Sequence, residues 1–276
     1  MMKILVPTDF SKLSRVGANY AIQLAKKIGA EVVLFHVAHF ETPPLTHMMS
    51  IADVIKENVI QDLTDRCLQL KEELHTMAPE VSIAIQVVEG GPLEDQIESY
   101  ASHHAIDWIV MGTKGASGLQ KMIFGSQAYA VINKSSLPVI LIPEHARFKN
   151  WENIVYASDL MHPQEELKKL IPFARLFHAR IHLLHVLSPD SKQPWDVVKL
   201  QNALIQACQY EKINLQVSHH YEVVEEIDDF IADQQAELVA LFTHEFTFFE
   251  KIFKKSLTRE IAFHTWVPLL SMKKAH

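Results

Sequence analysis

Residues 107–142 read DWIVMGTKGASGLQKMIFGSQAYAVINKSSLPVILI, and residues 237–272 read ELVALFTHEFTFFEKIFKKSLTREIAFHTWVPLLSM. The two stretches align without a gap at an offset of 130, with Lys121 on Lys251, Ser126 on Ser256 and Pro138 on Pro268. Nearer the start of each half the offset is 149 to 150. There ILVPTDFS (4–11) matches IVYASDLM (154–161), and VVLFHVAHF (32–40) matches IHLLHVLSP (181–189). Asp9 thereby pairs with Asp159 and His36 with His185. A repeat of this length marks a duplicated domain. The chain divides into residues 1–145 and 151–276, joined near PEHARFKNW, with the second copy the shorter.

Within the first copy, apolar runs alternate with stretches of helical period. KILVPTD opens as a strand, and Ser11 is a cap candidate for a helix reaching Ile28. EVVLFHVA is β-branched and nearly continuous in apolar residues, the mark of a strand buried on both faces. An amphipathic stretch from about Ile51 to Met77, the strand VSIAIQVV and the helix PLEDQIESYASHH with Pro92 in its first turn come next. DWIVMG, a helix over Ser126–Lys134 and PVILIP complete the unit. Strands separated by helices predict a doubly wound parallel sheet of five strands in each copy. Ligands of such sheets sit beyond the carboxyl ends of the strands, where strand order switches.

Composition narrows the function classes. Of 276 residues, 48% are hydrophobic and 21% charged, an ordinary globular balance. No apolar run approaches the roughly 20 residues that cross a bilayer, and no secretory signal is read at MMKILVPTDF. The net charge of −7 splits into −3 over residues 1–150 and −4 over the rest, without a basic tract for nucleic acid. Cys67 and Cys208 are two isolated thiols, so a reducing cytoplasm is the expected location. Sixteen histidines invite a metal, and FHARIHLLHV holds His178, His182 and His185. On a strand His182 and His185 point to opposite faces, which is poor ligand geometry.

Half of the eight glycines fall in residues 111–126, and none follows Gly125. Gly112-x2-Gly115-x2-Gly118 leaves the fourth strand, and Gly125-Ser126 opens the next helix. Glycine permits positive φ and close backbone approach, and free amides at a helix start attract anions. The spacing is neither a phosphate-binding Gly-Lys-Ser/Thr loop nor a dinucleotide fingerprint. A tight turn without any ligand is the rival reading. The repeat weighs against it: the second copy makes the same connection with no glycine, so the fold does not require one there.

The spacing G-x2-G-x9-G-S resembles the nucleotide-binding signature of the ATP-binding branch of the universal stress protein family. ILVPTDFS, VVLFHV and KSSLPVILI accompany it in family order across residues 3–142. The resemblance implies two tandem domains of adenine nucleotide alpha hydrolase type, packed as a pseudo-dimer through the strands PVILIP and VPLLSM, with further homodimerisation open. It implies that Asp9, with Pro7 and Thr8, lies by the adenosine and that Val37 flanks the adenine. Met111 and Gly112 close the ribose side, Gly115, Gly125 and Ser126 receive phosphates, and Thr113, Gly118 and Gln127 belong to the same implied nucleotide site. Gln127 stands where the family often carries a small β-branched residue. ATP with Mg²⁺ is the implied cofactor.

In the second copy Gly112, Gly115, Gly118 and Gly125 become Phe242, Glu245, Phe248 and Lys255. Bulk and a carboxylate there predict no ATP, and Asp159 is expected to cap a helix. FTHEFTFFEKIF (242–253) holds five phenylalanines, which either fill the vacated space or form a patch for a partner. The expected function is a cytoplasmic stress-response binding module regulated by ATP in its first domain. A slow ATPase or nucleotidyl or phosphoryl transferase, and a nucleotide-free scaffold, are the alternatives. No catalytic residue is singled out.

Overall fold

The computed structural model describes residues 1–39, 49–113, 126–192, 196–243 and 267–274, the side chains of 49–53 and 55 excepted. The chain forms two compact units, Met1–Glu144 and His145–His276. In the first unit the strands are β1 (Lys3–Pro7), β2 (Glu31–Ala38), β3 (Ile83–Glu89), β4 (Trp108–Gly112) and β5 (Val139–Ile142). The helices are α1 (Lys12–Ile28), α2 (Met49–Met77), α3 (Leu93–His103) and α4 (Ser126–Lys134). The sheet is parallel, in the order β3-β2-β1-β4-β5. From β1 the chain steps outward to β2 and β3, then returns to the other side of β1 for β4 and β5. The switch point therefore lies between β1 and β4.

Helices cover the sheet, so β1, β2, β4 and β5 are buried almost end to end, while the edge strand β3 is mostly half-buried. Ile4, Leu5 and Val6 of β1, and Leu34 and Phe35 of β2, are fully buried. This is why EVVLFHVA carries no polar alternation. The Ser11 hydroxyl accepts from the Ser14 amide and caps α1 as expected. Gly29, at φ 68°, ends the same helix in the left-handed conformation that glycine adopts without steric cost. Pro92 lies one place outside the expectation: it is the N-cap of α3 rather than part of its first turn, consistent with its extended backbone.

The second unit repeats the plan with β6 (Asn153–Ala157), α5 (Pro163–Phe177), β7 (Arg180–Leu187), α6 (Val197–Cys208), β8 (Ile213–His219), α7 (Val223–Asp233), β9 (Leu238–Thr243) and β10 (Leu269–Lys273). Its parallel strand order is β10-β9-β6-β7-β8. The connection from β7 to β8 carries α6, 12 residues long, where the first unit has the 29-residue α2, which accounts for the shorter second copy. His178 ends α5 at φ 55°, in the place of Gly29. Cys67 and Cys208 are both free and buried. Among the described residues no helix is long and apolar enough to cross a membrane.

Candidate functional site

Beyond the carboxyl ends of β1, β2 and β4 a cleft of about 120 Å³ opens at the switch point of the first unit. Seven residues expected at a ligand site meet there: Pro7, Thr8, Asp9, Val37, Met111, Gly112 and Gln127. Ser14, His36, His39, Leu93 and Ala128 complete its lining. Thr113 is buried and does not line the cleft, its amide bonded to the Ile142 carbonyl at 3.1 Å. Ser126 is exposed at the first position of α4 and does not line the cleft. Gly115, Gly118 and Gly125 lie outside the described residues, as does the Phe-rich segment beyond Phe242.

The turn after β1 is held by a closed set of hydrogen bonds. The Thr8 amide donates to the Phe35 carbonyl at 2.9 Å, continuing the ladder past the strand. The Thr8 hydroxyl accepts from the Phe10 amide at 3.1 Å and lies 3.2 Å from the Ser14 hydroxyl. Ser14 donates its own proton to the Ser11 carbonyl, so Thr8 is the donor between the two hydroxyls. Asp9 Oδ1 accepts from the Ser11 amide at 3.0 Å, closing a turn of its own rather than capping α1. Phe10 takes φ 62° to make this corner, costing about 1 kcal/mol in a non-glycine residue.

His36 fixes the turn from β2: its Nδ1 lies 2.7 Å from the Thr8 carbonyl and acts as donor. Burial lowers its pKa, aided by Arg66, although the bond to Thr8 and nearby Asp9 work the other way. The Phe10 ring lies between His36, 4.8 Å away centroid to centroid, and the Arg66 guanidinium of α2, 4.1 Å from its centroid. The cleft floor depends on a close backbone approach. A Cβ on Gly17 would stand 2.8 Å from the Gly112 amide nitrogen, so α1 packs directly on the end of β4. Gly17 was not among the residues singled out from sequence, yet a lone glycine inside a helical pattern is the signal that finds it.

The second unit keeps the turn and changes its surroundings. Ser158 accepts from the Leu160 amide, Asp159 from the Met161 amide, and His185 Nδ1 lies 2.8 Å from the Ser158 carbonyl. Leu160 even repeats the positive φ, at 57°. Asp159 does not cap α5, contrary to expectation; the N-cap is His162, three residues further on, and the Asp159 carboxylate closes the preceding turn instead. At the Gly112 position Phe242 is buried and meets the Tyr156 ring edge-on at 5.4 Å. At the Gly17 position stands Glu166, buried, accepting from the Tyr156 hydroxyl. Burial, and then the Glu166 charge, raise the Tyr156 pKa far above the ordinary phenol value.

The histidines of FHARIHLLHV have separate duties. His178 ends α5, His182 Nε2 lies 3.0 Å from Asn153 Oδ1, and His185 holds the β6 turn. Among the described residues no group of three His, Cys, Asp or Glu is placed to hold a metal ion.

The model of the universal stress protein family matches this chain twice, at residues 1–143 and 150–273. Universal stress protein MJ0531 of Methanocaldococcus jannaschii is 32% identical over 142 residues, covering 51% of this chain and 81% of that protein. Universal stress protein YxiE of Bacillus subtilis is 27% identical over 144 residues, 51% of this chain and 97% of its own. Among solved structures, a universal stress protein from Archaeoglobus fulgidus shares the fold over 99% of this chain and 98% of its own, with TM-score 0.69 at 16% identity. The chain belongs to the universal stress protein family, as a tandem of two family domains.

Proposed function

We propose that the first domain binds an adenine nucleotide, ATP with Mg²⁺, and that the protein is a stress-response binding module whose partner contacts follow nucleotide occupancy. The observation that carries this reading is the convergence of Pro7, Thr8, Asp9, Val37, Met111, Gly112 and Gln127 on one cleft at the switch point. The chemistry of the lining suits the group. Val37, Met111 and Leu93 offer apolar surface to a base, Asp9 can accept from ribose hydroxyls, and Gly112 removes side-chain bulk at the strand end. The phosphates and their Mg²⁺ would extend toward Ser126 at the start of α4 and the glycines before it. The second domain, with Phe242 and Glu166 in place of glycines, takes no nucleotide in this reading. Asp9 Oδ1 is engaged in its turn, and binding rather than turnover is what the lining supports.

The test is direct. Protein purified without added nucleotide is denatured and its supernatant analysed for adenine nucleotides, and stripped protein is titrated with ATP and Mg²⁺ by calorimetry. One site per chain is expected. Asp9→Ala and Ser126→Glu should each weaken it at least tenfold, about 1.4 kcal/mol. Absence of both retained and added nucleotide overturns the proposal, and sustained multiple turnover would favour the enzyme instead.

A further inference from the structure

The second domain's counterpart of Asp9 is already occupied by a cation. Asp159 Oδ2 accepts a 2.6 Å hydrogen bond from Lys274 Nζ, and the same ammonium lies 3.3 Å from Glu166 Oε1. Lys274 and Glu166 have side chains only 6% and 1% exposed. Tyr156 donates to Glu166 Oε2 and also reaches the Ser158 hydroxyl at 2.9 Å. Among the described residues none donates a hydrogen bond to Glu166 Oε1, which faces the Lys274 ammonium at 3.3 Å.

Both partners are departures from the first domain. Glu166 stands where α1 has Gly17, at the 149-residue offset, and Lys274 stands where the first copy has Glu144, at 130. Glu144 pairs outward with Lys12 at 2.7 Å, in a bridge whose side chains are 80% and 42% exposed. The second copy thus exchanged a glycine and a surface acid for a buried acid and a buried base. Burying either group without an opposite charge is costly, so the two changes support each other. An ammonium with three donors, set among a carboxylate on each side, makes this a site for a primary amine.

We propose that Asp159, Glu166, Tyr156 and Ser158 form a pocket for a primary ammonium whose occupant is the chain's own Lys274. This tethered cation closes the strand-end site of the second domain and ties the residue after β10 to the turn after β6 and to α5. Cutting the tether leaves a cavity matched in charge and size to a short alkylammonium ion.

The test uses the full chain. Lys274→Ala should lower the thermal midpoint of the second domain, and ethylammonium chloride should restore part of it in a saturable manner. Tetramethylammonium chloride and sodium chloride at equal concentration should not. Combining Lys274→Ala with Glu166→Gln should abolish the restoration. An unchanged midpoint in Lys274→Ala, or equal restoration by all three salts, overturns the proposal. A second measurement needs no variant: amine acetylation of the native protein, read by mass spectrometry. Lys274 should react at least about tenfold more slowly than Lys12, whose side chain is 80% exposed. Equal rates at the two lysines would overturn the proposal independently of how the variants fold.

Discussion

Gly17 of α1 and Gly112 at the end of β4 meet backbone to backbone, with room for no methyl group between them. Gly112→Ala places a Cβ against the Leu13 carbonyl and should destabilise the first domain by about 1–3 kcal/mol, the usual cost of overpacking. Gly17→Ala should cost less, because alanine recovers about 1 kcal/mol of helix propensity. Urea denaturation of the full chain, followed by a probe of each domain, checks both the size and the order of the two effects.

Histidine burial gives the protein an acid-side weakness. The pKa values of His36 and His182 are lowered, chiefly by burial, with Arg66 and Arg180 respectively adding to it. A group whose folded pKa lies below its unfolded value of about 6.5 stabilises the fold above that pH, and the benefit fades as pH falls. Stability should therefore decline from pH 6.5 downward. His36→Asn, which keeps a donor near the Thr8 carbonyl, should flatten the decline for the first domain in thermal scans between pH 5 and 7.

Asp228 works with the opposite sign. Burial, followed by repulsion from Asp229 and Glu225, raises its pKa to about 7. Its folded form holds a proton that the unfolded chain has released, so its contribution is complete below about pH 4 and is lost as pH rises toward 7. Asp228→Asn should stabilise the second domain at pH 8 by about 1 kcal/mol, allowing for the solvent that still reaches the carboxyl. At pH 4 the substitution should be nearly silent, and equal effects at both values would contradict the assignment.

The end of α5 offers a stabilising substitution. His178 holds φ 55°, where Gly29 sits at the end of α1, and its amide bonds back to Ala174 and Arg175. Relieving the side-chain clash by His178→Gly should add about 0.5–1 kcal/mol. Lys212 Nζ bonds to the carbonyl of residue 178, a backbone contact that survives the change. A lower unfolding midpoint for the variant would show that the imidazole matters more than the backbone.

The elements were legible because each strand is a short apolar run bounded by turn residues, and because the repeat supplied two readings of each. The cleft was half legible. Pro7, Thr8, Asp9, Val37, Met111 and Gly112 are named by the family resemblance, and each sits at or just past the carboxyl end of a strand, where a parallel sheet gathers its ligand residues. Ser14, His39 and Leu93 reach it from helix, loop and helix start, where periodicity reports burial and says nothing of direction. His36 carries a signal of its own, its alignment with His185, and both hold the same turn. Glu166 was hidden for a different reason. Its partners Tyr156 and Lys274 lie 10 and 108 residues away, and a charge in an amphipathic helix ordinarily faces water.

The turn shared by Thr8–Phe10 and Ser158–Leu160 makes every molecule a matched pair. The same corner, with the same bonds and the same left-handed residue, sits beside an open cleft in one copy and a filled interior in the other. Phe10→Gly and Leu160→Gly can therefore be compared within one polypeptide, at one concentration and in one buffer. What the two responses have in common belongs to the chain's need to turn there. What differs measures how far the cleft leans on the loop that borders it.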